Sequence, residues 1–281
     1  MSVRIMTDSA SDITPEELER YRITLIPMTL QCGDDTIIDN KTIPAETLWQ
    51  RMEAGEQIRT SQPAPGTFES AFSEALDAGD EVVCILISSA LSGTCQTAIL
   101  GKSLVEGEVH IVDCTCAAAS VAEKMVVFEA CRLRDEGRSA KDIAVRLASF
   151  RSRVRLIACL NTLEYLARGG RINRTVANIG TIARVKPIIT FSDKGEVKLM
   201  AKAIGSRHAM KAMVAEFQKS TLDPNVKPIP IFSRSDVNCL TYEHALAEAG
   251  VTDLDERRGI GATIGAYIGP DAYGIVYVVA E

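Results

Sequence analysis

A short, nearly continuous run of apolar residues places the strongest constraint on the fold of this chain. Residues 81–87 read EVVCILI and lie between Gly79-Asp80 and Ser88-Ser89. An apolar run bounded by turn residues, without alternation of polar and apolar positions, is typical of a strand that is buried on both faces. Such strands belong mainly to parallel sheets covered by helices on either side. The run therefore predicts an α/β domain with a parallel sheet.

The order of strand, hydroxyl-rich loop and helix is expected three times in the first half of the chain. Residues 3–6 are apolar and end at a polar loop, after which Thr14, Pro15 and Glu17 form a capping box that begins a helix. Repetition of this order favours a parallel sheet, whose ligands lie beyond the carboxyl ends of the strands. The other expected strands cover 23–30 and 109–112; the other expected helices cover 45–54, 67–78, 94–100 and 117–134, with a rigid loop at 60–66.

A second unit is expected after residue 150, because the pattern changes there and 281 residues suit two domains. We predict an α/β domain over 1–150 and an α+β domain over 151–281, with the boundary within ten residues and the ligand between them. Residues 193–195 (DKG) predict a hairpin turn. The expected strands cover 154–160, 186–191, 196–203, 228–232 and 274–279; the expected helices cover 162–168, 175–184, 206–219 and 239–249.

Bulk composition is that of an ordinary globular protein, with 46% hydrophobic residues, 24% charged residues and a mean hydropathy of +0.07. No apolar run approaches the roughly 18 residues that a membrane span needs. The first residues contain no apolar signal core before Asp8. We therefore expect a cytoplasmic protein without integral membrane contact.

The eight cysteines are spread along the chain and are expected to be small buried apolar residues. Their only close pair is Cys114 and Cys116, and the three histidines are far apart in sequence. A structural zinc site needs more ligands at close spacing. The sequence therefore predicts neither a metal site nor another cofactor.

Positive charge is concentrated in the middle of the chain. Residues 151–211, called the basic belt below, contain 13 Lys or Arg and only three Asp or Glu, although the whole chain has a net charge of −6. The belt indicates an anion or phosphate site, a docking face for an acidic partner, or a set of solvated helix faces. Nucleic acid is not expected as a partner, because Tyr165 and Phe191 are the belt's only aromatic residues and no reading module is recognisable.

Three loops rich in hydroxyl groups follow apolar strands or precede helices. They contain Thr7, Ser9 and Ser11; Thr60 and Ser61; and Ser88, Ser89, Ser92 and Thr94. Hydroxyls and backbone N–H groups at helix starts bind carboxylates or phosphates, although they also cap helices. The loops indicate a small molecule with an anionic head. A serine nucleophile is not favoured, because no histidine is placed by sequence to activate one.

Two other readings stay open on the residues alone. Asp8, Asp12 and Asp113 follow strands and could act as acids or metal ligands of a hydrolase or transferase, although aspartates there also cap helices. Arg171, after the turn glycines 169 and 170, could clamp a phosphate, meet a partner or simply be solvated. Besides a hydrolase or transferase, the second function that the residues leave possible is that of a regulatory protein that binds an acidic partner through the basic belt.

The glycines of residues 259–265 are expected to allow close packing or turns.

Several strings in one order give the chain a resemblance to the DegV family, which includes the fatty-acid-binding subunits of bacterial fatty acid kinase. The resemblance covers essentially the whole sequence. The strings are TDSASDI (7–13), TSQP (60–63), ISSALSGT (87–94), VD (112–113), LEYLARGGRI (163–172), KPI (186–188) and GP (269–270).

The resemblance implies a two-domain α/β protein that buries one long acyl chain between its domains and has no catalytic activity of its own. The carboxylate is then expected near Thr60 and Ser92. A separate kinase phosphorylates the bound carboxylate in this family, and Arg171 is expected on the docking face for that kinase. The residues expected around the carboxylate head are Thr60, Ser61, Ser92, Gly93, Thr94 and Tyr267.

The chain departs from the family pattern at three positions. Tyr267 replaces a histidine, Asp271 replaces the second glycine of Gly-Pro-Gly, and Ile204 stands near the position where kinase subunits tend to have an arginine. Tyrosine can hydrogen-bond a carboxylate without adding positive charge, and Asp271 would repel a phosphate. These departures weaken the expectation of phosphoryl transfer more than that of acyl binding.

An acyl chain gains about 0.8 kcal/mol for each CH₂ group that leaves water, so a 16-carbon chain can supply on the order of 10 kcal/mol before ordering costs. Apolar contacts are therefore expected to dominate the affinity. The residues considered for the tunnel wall are Ile26, Met28, Leu91 and Ile188, each of which could equally belong to the core.

Overall fold

A computed structural model describes residues 2–38, 45–172 and 184–281. The helix expected at 175–184 falls outside these residues except for its last position. The strands are β1 (Val3–Asp8), β2 (Ile23–Ile26), β3 (Thr29–Cys32), β4 (Asp35–Ile38), β5 (Ile58–Ser61), β6 (Glu81–Leu86), β7 (Val109–Asp113), β8 (Val154–Cys159), β9 (Val185–Phe191), β10 (Val197–Ile204), β11 (Ile229–Phe232), β12 (Arg258–Gly259) and β13 (Tyr273–Val278).

Ten α-helices are described in the same ranges, together with 3-10 turns at Ser9–Ser11 and Thr115–Ala117. Most follow the expected positions to within a few residues. The helices are α1 (Pro15–Tyr21), α2 (Ala45–Glu53), α3 (Pro65–Asp77), α4 (Thr94–Lys102), α5 (Val121–Asp135), α6 (Ala140–Arg153), α7 (Glu164–Arg168), α8 (Ser206–Phe217), α9 (Val237–Glu248) and α10 (Ala262–Ile268).

The first sheet is parallel throughout, in the order β2-β1-β6-β7. Alternate residues of β6 pack into different layers: Cys84 contacts the cluster that includes Phe68 and Phe72 of α3, whereas Val83 and Ile85 face the α5 and α6 side. Both faces of the sheet are therefore covered by helices, which confirms the prediction made from the apolar run.

The single strand expected over 23–30 is wrong, because the chain turns at Pro27 and Met28. β2 stays in the parallel sheet, while β3 joins a small antiparallel sheet in the order β4-β3-β5. Thr60 and Ser61 therefore lie on strand β5 rather than in the expected loop. Proline lacks the N–H that a continuing strand would need, which accounts for the break.

The third sheet has six strands in the order β10-β9-β8-β13-β11-β12. The hairpin expected at 193–195 joins β9 to β10, and Gly195 adopts a left-handed φ of 81° there. α8 and α9 cover the outer face of this sheet, and α5 lies between its inner face and the parallel sheet. The α/β plus α+β fold class is confirmed. The predicted division near residue 150 falls within α6 and stays a prediction.

The small sheet and α2 pack against α10 through a close contact. Trp49 of α2 is buried and lies so near Gly265 that a Cβ on Gly265 would come within 2.5 Å of the indole ring. A side chain at this position would push the two helices apart. Gly265 thus allows close packing, as expected for the glycines of 259–265, although α10 itself was not predicted.

Candidate functional site

A cavity lies between the six-stranded sheet and the loops at the carboxyl ends of the parallel strands. The space between its lining residues is about 820 Å³, a volume that includes solvent at the mouth of the cavity. Met28, Ile87 and Leu91 line it from the parallel-sheet side. This is the edge at which the sequence predicted a ligand.

The opposite wall is the inner face of the six-stranded sheet. Its lining residues extend from Val197 on β10 to Ile231 on β11, a width of four strand spacings or about 19 Å. A wall that is about 19 Å wide suits an elongated apolar ligand better than a compact one. The apolar residues on this wall are Leu156, Ala158, Leu160, Ile189, Phe191, Val197, Ile231 and Ala272.

Four polar side chains among the lining residues come from four separate segments: Thr60, Ser92, Arg171 and Tyr267. The Thr60 hydroxyl lies 2.6 Å from the Tyr267 hydroxyl, and either group can donate the hydrogen bond. We call these four residues the polar end of the cavity. Three of them, Thr60, Arg171 and Tyr267, also line a second pocket on the outside of the molecule.

Arg171 is hydrogen-bonded to nearby carbonyl groups rather than simply solvated. Its Nε donates a hydrogen bond of 3.1 Å to the Leu91 carbonyl, and one Nη donates to the Gly169 carbonyl. The guanidinium also stacks on the Tyr267 ring, 4.9 Å from the ring centroid. Arg171 is half-buried and supplies a fixed positive charge beside the polar end.

Gly169 and Gly170 play different parts in this turn. Gly170 adopts a left-handed φ of 72°, which glycine takes without strain. Gly169 has an ordinary φ, but a Cβ there would lie 2.4 Å from the Tyr267 ring. The Gly-Gly-Arg string is thus compatible with both the turn and the close packing of Tyr267.

The other residues expected around a carboxylate lie elsewhere. Ser61 is exposed, because strand alternation turns it away from Thr60. Thr94 is buried and its hydroxyl lies 2.8 Å from that of Ser92, through which it contacts the polar end. Gly93 lines an outer groove and packs against Gln62.

Of the four tunnel-wall candidates, Met28 and Leu91 line the cavity. Ile26 packs with Phe68 and Phe72 on the far side of the parallel sheet. Ile188 faces the outer layer under α8. Ile26 and Ile188 are therefore core residues, since each lies on the strand face opposite to the cavity.

The loop aspartates hold backbone groups together. Asp8 accepts hydrogen bonds from the N–H groups of Ala10 and Ile87. Asp12 accepts them from the Ser120 hydroxyl and the Gly261 N–H. Both aspartates thereby join loops that surround the cavity.

Asp113 has the same kind of partners. Its carboxylate accepts hydrogen bonds from the N–H groups of Ser89 and Thr115 and from the Thr115 hydroxyl. Capping of this kind is sufficient to explain the three aspartates after strands. In the described ranges, no cluster of three or more His, Cys, Asp or Glu side chains is arranged to hold a metal ion.

The basic belt does not form one exposed face in the part of the chain that the structure describes. Arg153 pairs with Asp223 at 2.7 Å and both side chains are largely buried. Arg151 donates to the Asp113 carbonyl, and Lys186 donates to the Asn161 side chain. Several charged side chains of the basic belt are therefore paired or hydrogen-bonded within the protein and do not contribute to an exposed basic face.

Two of the departures from the family pattern lie away from the cavity lining. Asp271 adopts a left-handed φ of 62°, a conformation that suits glycine, and its carboxylate accepts a 3.2 Å hydrogen bond from Asn161. Ile204 is 73% exposed at the end of β10. Tyr267 is the departure that lies directly at the polar end.

Sequence reasoning missed two polar groups in the cavity wall, Ser120 and Thr263. Thr263 lies four positions before Tyr267, a spacing that places both on one face of α10. This spacing could have indicated Thr263 only if helix α10 itself had been predicted.

None of the helices in the described ranges combines the length and apolar character that a transmembrane span requires.

Comparisons with known proteins agree on one family. The DegV family model matches residues 2–280. A DegV domain-containing protein of Caldanaerobacter subterraneus subsp. tengcongensis is 30% identical over 278 residues, which cover 98% of each chain.

Solved structures match over the whole length as well. A DegV family protein from Thermus thermophilus, described by its fatty acid binding, has 27% identity and a TM-score of 0.88 with complete coverage of both chains. The Streptococcus pneumoniae fatty acid kinase B3 protein, loaded with linoleic acid, has 18% identity and a TM-score of 0.84, again with complete coverage. The second likeness, at this identity, concerns the fold alone.

Proposed function

Since the chain belongs to the DegV family, we propose that it binds one long-chain fatty acid in the cavity and holds the carboxylate at the polar end. The observation that carries the proposal is the cavity itself: a wide apolar wall that ends at three hydroxyls and an arginine. The fatty acid binding of the Thermus thermophilus relative supports it.

The energetics of such a site favour an acyl guest. Burial of a 16-carbon chain supplies on the order of 10 kcal/mol before ordering costs, at about 0.8 kcal/mol for each CH₂. The carboxylate then needs only enough hydrogen bonds to offset its desolvation, each about 1.5–3 kcal/mol for a charged partner. Thr60, Ser92, Tyr267 and the Arg171 charge can supply them.

The chain is proposed to present the carboxylate to a separate kinase rather than to react itself. Thr60, Arg171 and Tyr267 line both the cavity and the outer pocket, so a partner that enters the outer pocket would lie next to the residues that hold the carboxylate. The sequence resemblance to a family that includes the fatty-acid-binding subunits of fatty acid kinase supports this step. The cytoplasmic location expected from the sequence remains a prediction.

Native mass spectrometry of the protein purified from a bacterial host tests acyl binding. We expect a bound mass that corresponds to a C14–C18 fatty acid and that exchanges with added palmitate. A protein that is always free of ligand and shows no affinity for C14–C18 acids would refute the proposal. If the protein alone, without a partner kinase, hydrolysed phosphate esters or acyl phosphates in the presence of magnesium, the alternative hypothesis of a hydrolase would be favoured instead.

Thr60→Ala and Ser92→Ala should each weaken palmitate binding by about 10- to 100-fold, because each removes one hydrogen bond to the charged carboxylate. Both residues are only partly buried, so thermal unfolding should change little. Ser61→Ala is the matched control, since Ser61 is exposed next to Thr60 on the opposite face of β5. Unchanged affinity in both variants would remove Thr60 and Ser92 from the site.

A further inference from the structure

The wall of the cavity contains polar residues besides the four at its polar end. Ser120 and Thr263 line the cavity and are 3% and 2% exposed. A wall that holds only hydrocarbon gains nothing from hydroxyl groups, because a methylene group neither donates nor accepts a hydrogen bond. The two residues therefore indicate that a polar group of the ligand meets this part of the wall.

Both residues are connected to the carboxylate of Asp12. The Ser120 hydroxyl donates to one oxygen of Asp12 over 2.5 Å, and the Gly261 N–H donates to the other over 3.0 Å. Gly261 directly precedes helix α10, whose first turn contains Thr263. Asp12 thus joins two lining segments that are far apart in the sequence. We call Asp12, Ser120 and Thr263 the Asp12 patch.

The backbone of Ser120 adopts a conformation that favours glycine. Its φ of 62° and ψ of −146° lie in a region that other residues rarely adopt. Glycine at this position would relieve the strain, but it would also remove the hydroxyl group. Strained residues are concentrated at sites that bind ligands, and this one lines the cavity.

The chemistry of the Asp12 patch favours a neutral group that donates a hydrogen bond. The Ser120 hydroxyl uses its proton in the bond to Asp12, so the lone pairs of its oxygen remain as acceptors. Donation to a carboxylate makes that oxygen a stronger acceptor. The Asp12 charge repels a second anion, so the carboxylate of a fatty acid belongs at the polar end, beside the Arg171 charge.

We propose that the chain binds hydroxy fatty acids, with the carboxylate at the polar end and a hydroxyl of the acyl chain on the Asp12 patch. A chain hydroxyl is neutral and can donate to Ser120. Thr263 lies four positions before Tyr267, a helical rise of about 6 Å, so the hydroxyl is carried by an inner carbon of the acyl chain. The proposal rests on the proposed function, because it uses the same cavity.

Equilibrium binding of four C18 acids tests the proposal: stearate, 3-hydroxystearate, 10-hydroxystearate and 12-hydroxystearate. We expect at least one of the two acids with a mid-chain hydroxyl to bind about 2- to 10-fold more tightly than stearate, as one additional hydrogen bond provides. 3-Hydroxystearate should bind no more tightly than stearate, because its hydroxyl is too close to the carboxylate to reach the Asp12 patch.

The variants Ser120→Ala and Thr263→Val each remove one hydroxyl from the Asp12 patch. Each should lower the ratio of mid-chain hydroxystearate affinity to stearate affinity to one or below. This ratio separates recognition of the hydroxyl from damage to the cavity, since a distorted cavity weakens the binding of both acids. Ser120→Gly removes the same hydroxyl without backbone strain and replaces Ser120→Ala if that variant folds poorly.

Thr97→Val is the matched control for the threonine variant. Thr97 is buried in α4, its hydroxyl donates to the Thr94 carbonyl, and it lies outside the cavity lining. The substitution removes a buried hydroxyl of the same kind, so it should leave the affinity ratio unchanged.

The outcomes separate hydroxyl recognition from acyl binding itself. If stearate binds but neither mid-chain hydroxystearate binds more tightly, or if the variants of Ser120 and Thr263 leave the affinity ratio unchanged, hydroxyl recognition is refuted and acyl binding stands. If none of the four acids binds, the proposed function fails and this proposal fails with it.

Discussion

Ala158→Phe should abolish detectable palmitate binding, with a loss of affinity of at least about 100-fold, while the protein remains folded. Ala158 lies near the end of β8, is 6% exposed and lines the cavity. A phenyl ring there would occupy the space of several methylenes, each worth about 0.8 kcal/mol to the bound chain. Displacing four of them removes roughly 3 kcal/mol, and a blocked tunnel removes more.

The stability of this variant is as informative as its affinity. A large side chain in a filled core costs about 1–3 kcal/mol, whereas one that enters an open cavity is accommodated. We therefore expect a thermal midpoint close to that of the native protein. Ala247→Phe, on the exposed face of α9, is the matched control and should keep native affinity. Strong destabilisation with unchanged palmitate binding would show that the space beside Ala158 is not the acyl site.

The parallel sheet could be predicted from the sequence because its strands are apolar on both faces and are separated by polar loops and helices. The break between β2 and β3 was missed, since the eight residues 23–30 are mostly apolar and only Pro27 marks the turn. Helix α6 was missed although Ile143, Leu147 and Phe150 repeat at helical spacing and are buried. In that case the signal was present in the sequence.

The polar end of the cavity was predicted only in part for a different physical reason. Thr60 and Tyr267 are 207 positions apart and meet through the packing of the small sheet on α10. Arg171 reaches the Leu91 carbonyl across 80 positions. Contacts of this range depend on how whole elements pack, which local spacing does not encode. The hydroxyl-rich loops indicated Thr60 and Ser92 as ligands of an anionic head, and the resemblance to a family led to the prediction that they lie with Tyr267 around a carboxylate.

Behind the cavity, the structure buries a carboxyl group that has few partners. Glu123, in the first turn of α5, is fully buried; its Oε1 accepts a long 3.4 Å hydrogen bond from Thr7, and its Oε2 has no partner among the described residues. Burial, followed by the charges of Asp8, Asp12 and Asp113, raises the pKa of Glu123 well above its usual value. Glu123 is therefore protonated in the folded protein over a pH range in which it is ionised in the unfolded chain.

This difference makes folding depend on pH in a definite direction. A group whose pKa is higher in the folded state binds more protons there, so the free energy of unfolding falls as pH rises. The contribution of Glu123 is complete below its unfolded pKa of about 4.3 and is lost progressively up to its folded pKa. The slope from this one group is at most about 1.4 kcal/mol for each pH unit.

Glu123→Gln should remove that slope. The amide resembles the protonated carboxyl in shape and does not ionise, so we expect nearly equal unfolding free energies for both proteins at pH 4.5 and a more stable variant at pH 8. Urea unfolding at several pH values measures the difference, and Glu248→Gln, on the exposed side of α9, controls for loss of a charge. A difference between variant and native protein that does not change with pH would show that Glu123 keeps the same protonation state in the folded and unfolded chains.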